Sequence, residues 1–114
     1  MNQNLEQIRA KHALERAADA RKQNNEGDCL SGYPSLIINN GLLAALAFSL
    51  DKEKQHLRVA NAVAFHLHHL GVVAQSAPGA AGLRDALVKA DSYNLRRATA
   101  EALAFLAYLK RFAK

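Results

Sequence analysis

Three imidazoles and one thiol are the side chains here best suited to chemistry. His66, His68 and His69 fall within four residues. On a helix, His66 and His69 are i,i+3 neighbours able to share a cation, while His68 points elsewhere. A structural zinc site takes four ligands, usually with Cys among them. The single Cys, Cys29, is far away in sequence, and no HExxH pattern is present. The expectation is no metal, no cofactor, and three surface imidazoles. Cys29 has no local His or cationic pair to lower its pKa and is expected to be inert. No paired carboxylates, Gly-rich phosphate loop or nucleophile beside a base stands out, so no catalytic residue is assigned. The sequence predicts a protein that binds rather than catalyses.

What it has for binding is positive charge. Fifteen Lys and Arg against ten acidic residues leave a net charge of +5 in 114 residues. An excess of that size suits an anionic partner without requiring one. Arg58, Asn61, Phe65 and His69 recur at i, i+3, i+7 and i+11, on the side of a helix away from its main apolar stripe. That row reads three ways. It can face RNA, with bases on the ring and cations on phosphates. It can face a partner subunit with Phe65 as the buried anchor. Or Phe65 can pack within the monomer under the 71–82 connector. The C-terminal cations Lys110, Arg111 and Lys114 also suit the negative end of a helix without any ligand.

These residues need elements to position them, and the composition points to helices. Half of the residues are apolar, but only seven are Phe or Tyr and none is Trp. Ala and Leu dominate, which favours helix over strand. No alternating strand pattern or hairpin signal occurs. The length is enough for one core, so residues 1–114 are taken as a single all-α domain, a compact bundle of about five to six helices.

In chain order, a first helix is predicted over 2–24, with a small-residue stripe at Ala10, Ala13, Leu14, Ala17, Ala18 and Ala20. A polar loop over 25–33 carries Cys29. Pro34 suits a first helical position and opens an apolar helix to about Leu50. That helix is interrupted by Asn39-Asn40-Gly41, where Gly costs about 1 kcal/mol relative to Ala. Either the chain kinks there, or Gly41 allows a close helix approach and Asn40 makes a buried or interfacial hydrogen bond. Asp51 is read as the N-cap of the next helix, which Gly71 stops after Leu70. Its core stripe is Leu57, Ala60, Val63, Ala64, Leu67 and Leu70. A connector over 71–82 leads to a short helix over 83–90. Asp91 or Ser92 then caps a long helix over 93–112. Leu95, Ala98, Thr99, Ala102, Phe105, Leu106, Leu109 and Phe112 mark its buried side. Arg97, Glu101, Tyr108 and Arg111 mark its more exposed side, with Arg97–Glu101 as an i,i+4 pair. No run approaches the roughly 20 apolar residues of a membrane span. With no secretory leader at Met1–Asn4 and one unpaired Cys, a cytoplasmic, reducing location is expected.

Three stretches carry a family resemblance. Pro34-Ser-Leu-Ile-x-x-Asn40-Gly41-Leu42-x-x-x-Leu46-Ala47-Phe48 resembles the signature of the small α-helical subunit of type III-B CRISPR effector complexes, the Cmr or RAMP-module assemblies. Arg96-Arg97-Ala-Thr99-x-Glu101-Ala102-Leu103-x-Phe105-Leu106-x-x-Leu109-Lys110-Arg111-Phe112-Ala113 is similar to the family's last helix. Gln7-x-Arg9-Ala10-x-x-Ala13-Leu14-Glu15 is similar to its first. Leu43, Tyr33 and Tyr108 depart from residues common in the family at those places.

The resemblance implies a non-catalytic subunit of an antiviral ribonucleoprotein. Copies would stack on one another in a minor filament beside the backbone and large subunits. They would help hold the guide RNA–target RNA duplex through phosphate contacts, with no membrane partner. Cleavage would belong to the other subunits. Carried onto this chain, the RNA-contacting residues are Lys52, Arg96, Arg97 and Arg111. Lys54 and Arg58 join them on charge and spacing alone. Two rival classes are a stand-alone helical protein–protein adaptor without an RNA role and a metal-dependent helical-bundle enzyme built on the His cluster.

Overall fold

A computed structural model describes residues 3–75 and 77–113. The parts of the predicted elements at residues 2, 76 and 114 lie outside them. Six helices are described: α1 (Leu5–Ala20), α2 (Tyr33–Asn40), α3 (Leu42–Lys52), α4 (Lys54–Leu70), α5 (Gly79–Lys89) and α6 (Ser92–Phe112). No strand occurs among the described residues. The all-α expectation therefore holds.

The hub is α4, which touches α1, α3, α5 and α6. Val59, Ala60, Ala62, Val63, Ala64 and Leu67 are all buried, so apolar residues run round most of its circumference, as a helix enclosed by others requires. Gly71 ends it in the left-handed conformation at φ 68°, as predicted. The longest helix, α6, buries Ala98, Ala102, Phe105, Leu106 and Leu109, the side that its 3.6-residue periodicity marked. Asp91 rather than Ser92 caps it, its side chain accepting from the Asn94 amide at 2.8 Å.

Several boundaries differ from the sequence reading. α1 is shorter than 2–24. It starts at a reciprocal box in which Asn4 and Gln7 bond each other's backbone amides at 2.9 Å, and it stops where Arg21 turns extended. Asp51 is not an N-cap: α3 runs through it, and the chain turns at Glu53 and Lys54, with φ 61° and 53°. α5 begins at Gly79 rather than Leu83. One of its first amides finds an acceptor in Asn61 of α4, whose Oδ1 takes the Ala80 N–H at 2.9 Å.

The 34–50 stretch is two helices. Gly41 sits between α2 and α3 at φ 92° and ψ 158°, a region essentially reserved for glycine. Nothing lies within 4 Å of where its Cβ would be, so close helix approach is not its role. Asn40 is exposed, its side chain bonded to the Leu36 carbonyl of its own helix at 3.3 Å. The kink, rather than a buried amide, explains the motif. The tight approach occurs instead at Gly82, where an added Cβ would lie 1.9 Å from the Ala77 carbonyl oxygen.

Candidate nucleic-acid interface

The six predicted cations fall into two groups. Arg96, Arg97 and Arg111 are exposed on α6. Lys52, Lys54 and Arg58 lie at and just after the α3–α4 junction, with Lys52 and Lys54 exposed.

On α6 the exposed positions include Tyr93, Arg96, Arg97, Ala100, Ala107, Lys110 and Arg111. Four are cations and none is a carboxylate. Arg97 and Arg111 stand about 21 Å apart along the axis at 1.5 Å per residue, with alanines between them that let a bulky strand come close. Arg97 rests its guanidinium 5.8 Å from the Tyr93 ring centre, which steers the charge without neutralising it. Arg96 borders a largely apolar groove of about 500 Å³ between α6 and the α2–α3 break, lined by Gly41, Leu43, Leu95, Thr99 and Leu103 among others.

The helix supplies this face no carboxylate of its own because its one, Glu101, is turned inward; Glu6 of α1 lies at its edge, accepting from the Tyr108 hydroxyl at 2.9 Å. Glu101 was expected on the exposed side, paired with Arg97. It is instead buried, and Arg9 of α1 holds it with two bonds of 2.7 Å. Burial by itself raises the Glu101 pKa, but the bonds from Arg9 and His66 outweigh that and hold it below the usual carboxylate value.

The second group is more balanced. Arg58 donates to Glu26 and, at 3.4 Å, to the Arg21 carbonyl. Its hydrogen bond lowers the Glu26 pKa. Beside it, Gln55 accepts from the Cys29 amide at 2.9 Å and donates to the Ala20 carbonyl at 3.0 Å. Together they tie the 21–32 loop to the start of α4. Lys52 and Lys54 line a cavity of about 460 Å³ with Glu26, Asp28 and Glu53, so three carboxylates offset their charge. Lys52 also lies 5.6 Å over the Phe48 ring.

In the Arg58–Asn61–Phe65–His69 row, Asn61 and His69 are exposed and Arg58 and Phe65 half-buried, and each bonds or packs within the monomer. Asn61 caps α5. Phe65 is half-buried against α1, with its ring 5.2 Å from His12 and the Arg16 guanidinium 4.6 Å above it. It packs within the monomer, though against α1 rather than under the connector alone.

The histidine cluster also differs from expectation. His66 is not a surface imidazole. It is completely buried, stacked at 4.5 Å on Phe105. Its Nε2 meets Glu101 at 2.8 Å and its Nδ1 meets His12 Nδ1 at 2.8 Å. His69 Nδ1 donates to the Phe65 carbonyl at 2.9 Å. No group of three His, Cys, Asp or Glu among the described residues is arranged to hold a metal ion. Burial, with nearby Asp28 and Glu26, pushes the Cys29 thiol up to about 11.

The Arg9–Glu101–His66–His12 network was not anticipated. Its only sequence signal is that Arg9, His12, Ala13, Arg16, Ala17 and Ala20 share helical spacing, which places His12 beside the small-residue stripe.

Comparison with known proteins places this arrangement. The family model described as CRISPR-associated protein (Cas_Cmr5) matches residues 5–114. The chain belongs to the Cmr5 family of CRISPR-associated proteins. Membership makes it a small helical subunit of the Cmr complex. Its fold is similar to the X-ray crystal structure of a CRISPR-associated Cmr5 family protein from Thermus thermophilus, with 27% identity, a TM-score of 0.76, and coverage of 97% of this chain and 96% of that one. A search of the curated proteins finds no match. No helix among the described residues is long and apolar enough to cross a membrane.

Proposed function

We propose that this chain is a non-catalytic subunit of a type III-B Cmr effector. It stacks with other copies in the minor filament and helps hold target RNA paired with guide RNA. The observation that supports this reading best is the α6 face, where Arg96, Arg97, Lys110 and Arg111 are exposed with no exposed carboxylate on the same helix. Such a face neutralises phosphates without reading bases, and sequence selection is left to base pairing. Lys52 and Lys54 are secondary contacts in this proposal because carboxylates share their cavity. Arg58 contributes through the loop it secures, its guanidinium being engaged by Glu26.

The test replaces Arg96, Arg97 and Arg111 with Glu in the assembled complex and measures target-RNA retention from 50 to 200 mM salt. Three phosphate contacts at a slope of roughly 0.7 to 0.9 each give about a 20- to 40-fold salt-dependent loss of affinity. The variant should lack that component. An unchanged salt slope with assembly intact refutes the assignment.

A second reading attaches to Arg96, whose apolar groove of about 500 Å³ also suits a protein side chain. If Arg96→Glu alone abolishes assembly while Arg97→Glu and Arg111→Glu weaken only RNA retention, Arg96 belongs to a subunit contact.

A further inference from the structure

The buried imidazole pair has a proton capacity that its geometry sets. Arg9 remains charged, and its two bonds of 2.7 Å to Glu101 keep that carboxylate ionised. The contact of His66 Nε2 with Glu101 at 2.8 Å therefore requires a proton on Nε2. His66 Nδ1 and His12 Nδ1, 2.8 Å apart, share one proton between them. In the neutral pair, His12 Nδ1–H donates to the bare Nδ1 of His66. One more proton can be taken on the far nitrogen of His12 with the contact intact. A second puts N–H against N–H at 2.8 Å and adds a second positive charge to a buried site.

We infer that His12 and His66 form an acid-sensitive latch between α1 and the α4–α6 pair, whose double protonation releases α1 ahead of the rest of the bundle. α1 is the element that gives way because its buried apolar side chains are all small, so the latch, with the Arg9–Glu101 bonds and the Tyr108–Glu6 bond at 2.9 Å, carries much of its hold. Ala13, Ala17 and Ala20 are its buried apolar residues, and Leu14 points out at 62% exposure.

The charged and titratable surroundings of the latch come from all three helices. α1 contributes Arg9, Lys11, Glu15 and Arg16, α4 contributes His69, and α6 contributes Glu101. Burial lowers the pKa of both imidazoles. It outweighs the opposing pull of Glu15 on His12 and of Glu101 on His66. Because the folded values lie below the unfolded value, the latch is fully closed above the unfolded pKa. It loses hold as pH falls from about 6.5 toward the folded values.

Hydrogen exchange at Ala13 and Ala17, corrected for the intrinsic pH dependence, reads the opening of α1. Two imidazoles that take up protons on opening raise its equilibrium by at most about 30-fold between pH 6.5 and 5.5, and one by at most about 5-fold. Wild type is expected between these figures, because the closed latch holds one proton but not the second. His12→Asn, whose amide can still donate to His66 without taking up a proton, is expected at or below the second figure. His68→Gln, outside the network, should match wild type. Leu106 should keep its protection over the same range. Equal pH responses in wild type and His12→Asn overturn the proposal, as does simultaneous loss of protection at Leu106. A measurement on wild type alone serves if the variant fails to fold. Imidazole ¹⁵N spectra at pH 7.5 should show His66 protonated on Nε2 and bare on Nδ1, and the reverse tautomer overturns the latch.

Discussion

Replacing Gly41 with Ala separates a conformational requirement from a packing one. Gly41 has φ 92° and ψ 158°, and an added Cβ meets nothing within 4 Å. The whole penalty is backbone strain, about 1–3 kcal/mol for a side-chain-bearing residue in that region. The entropy of unfolding of a chain this size is roughly 0.24 kcal/mol per degree at about 2.1 cal/mol/K per residue. The melting temperature should therefore drop by about 4–12 °C in differential scanning calorimetry. Because the space is open, Gly41→Ser and Gly41→Leu should fall close to Gly41→Ala rather than scaling with side-chain size. Gly82 is the contrasting control. Its Cβ would lie 1.9 Å from the Ala77 carbonyl oxygen, so Gly82→Ala is destabilised by overlap with backbone and Gly82→Leu more so. Melting of Gly41→Ala within a degree of wild type, or a steep further loss in Gly41→Leu, refutes the argument.

Gln55→Leu leaves the Cys29 amide and the Ala20 carbonyl without the partners that Gln55 provides at 2.9 and 3.0 Å. At about 1–3 kcal/mol per orphaned group, the urea midpoint should fall clearly, while Gln55→Glu should recover part of the loss through the retained acceptor. Tyr33→Phe removes the hydroxyl that meets Ser49 Oγ at 2.6 Å, yet Ser49 keeps the Ala45 carbonyl at 2.8 Å. A loss of about 1 kcal/mol is expected by the same measurement. Cys29, with its thiol pushed up to about 11 against an ordinary 9.0, should be alkylated at pH 8 about 100-fold more slowly in native than in denatured protein, following its thiolate fraction. Equal rates by mass spectrometry contradict that burial.

Much of the fold was legible because it rests on local rules. Ala and Leu at helical spacing marked the buried sides of α4 and α6, and Gly71 and Asp91 marked ends where a backbone group needs a specific partner or φ. The exposed cations of α6 were legible for the same reason, since a helix fixes which residues share a face. Asn40-Gly41 was read as an oddity with two causes left open, a kink or a close helix approach, because a glycine needed for space and one needed for φ look alike in sequence; the kink is the one found. Asp51 resembled a cap because Asp often is one, and a turn through two side-chain-bearing residues at positive φ, Glu53 and Lys54, leaves no compositional mark.

The sequence by itself determined an all-helical chain with a family signature around Pro34–Phe48 and a basic last helix, because each of those follows from neighbours within a few residues. Only the tertiary structure decided which charges remain available. Arg9 reaches Glu101 across 92 residues, and Arg58 reaches Glu26 across 32. Burial then turned His66 from an apparent surface imidazole into the centre of the α1–α4–α6 seam. A carboxylate in water and a carboxylate clamped beneath a guanidinium are the same letter in the sequence. Turning Glu101 inward leaves the exposed side of α6 with four cations and no carboxylate of its own.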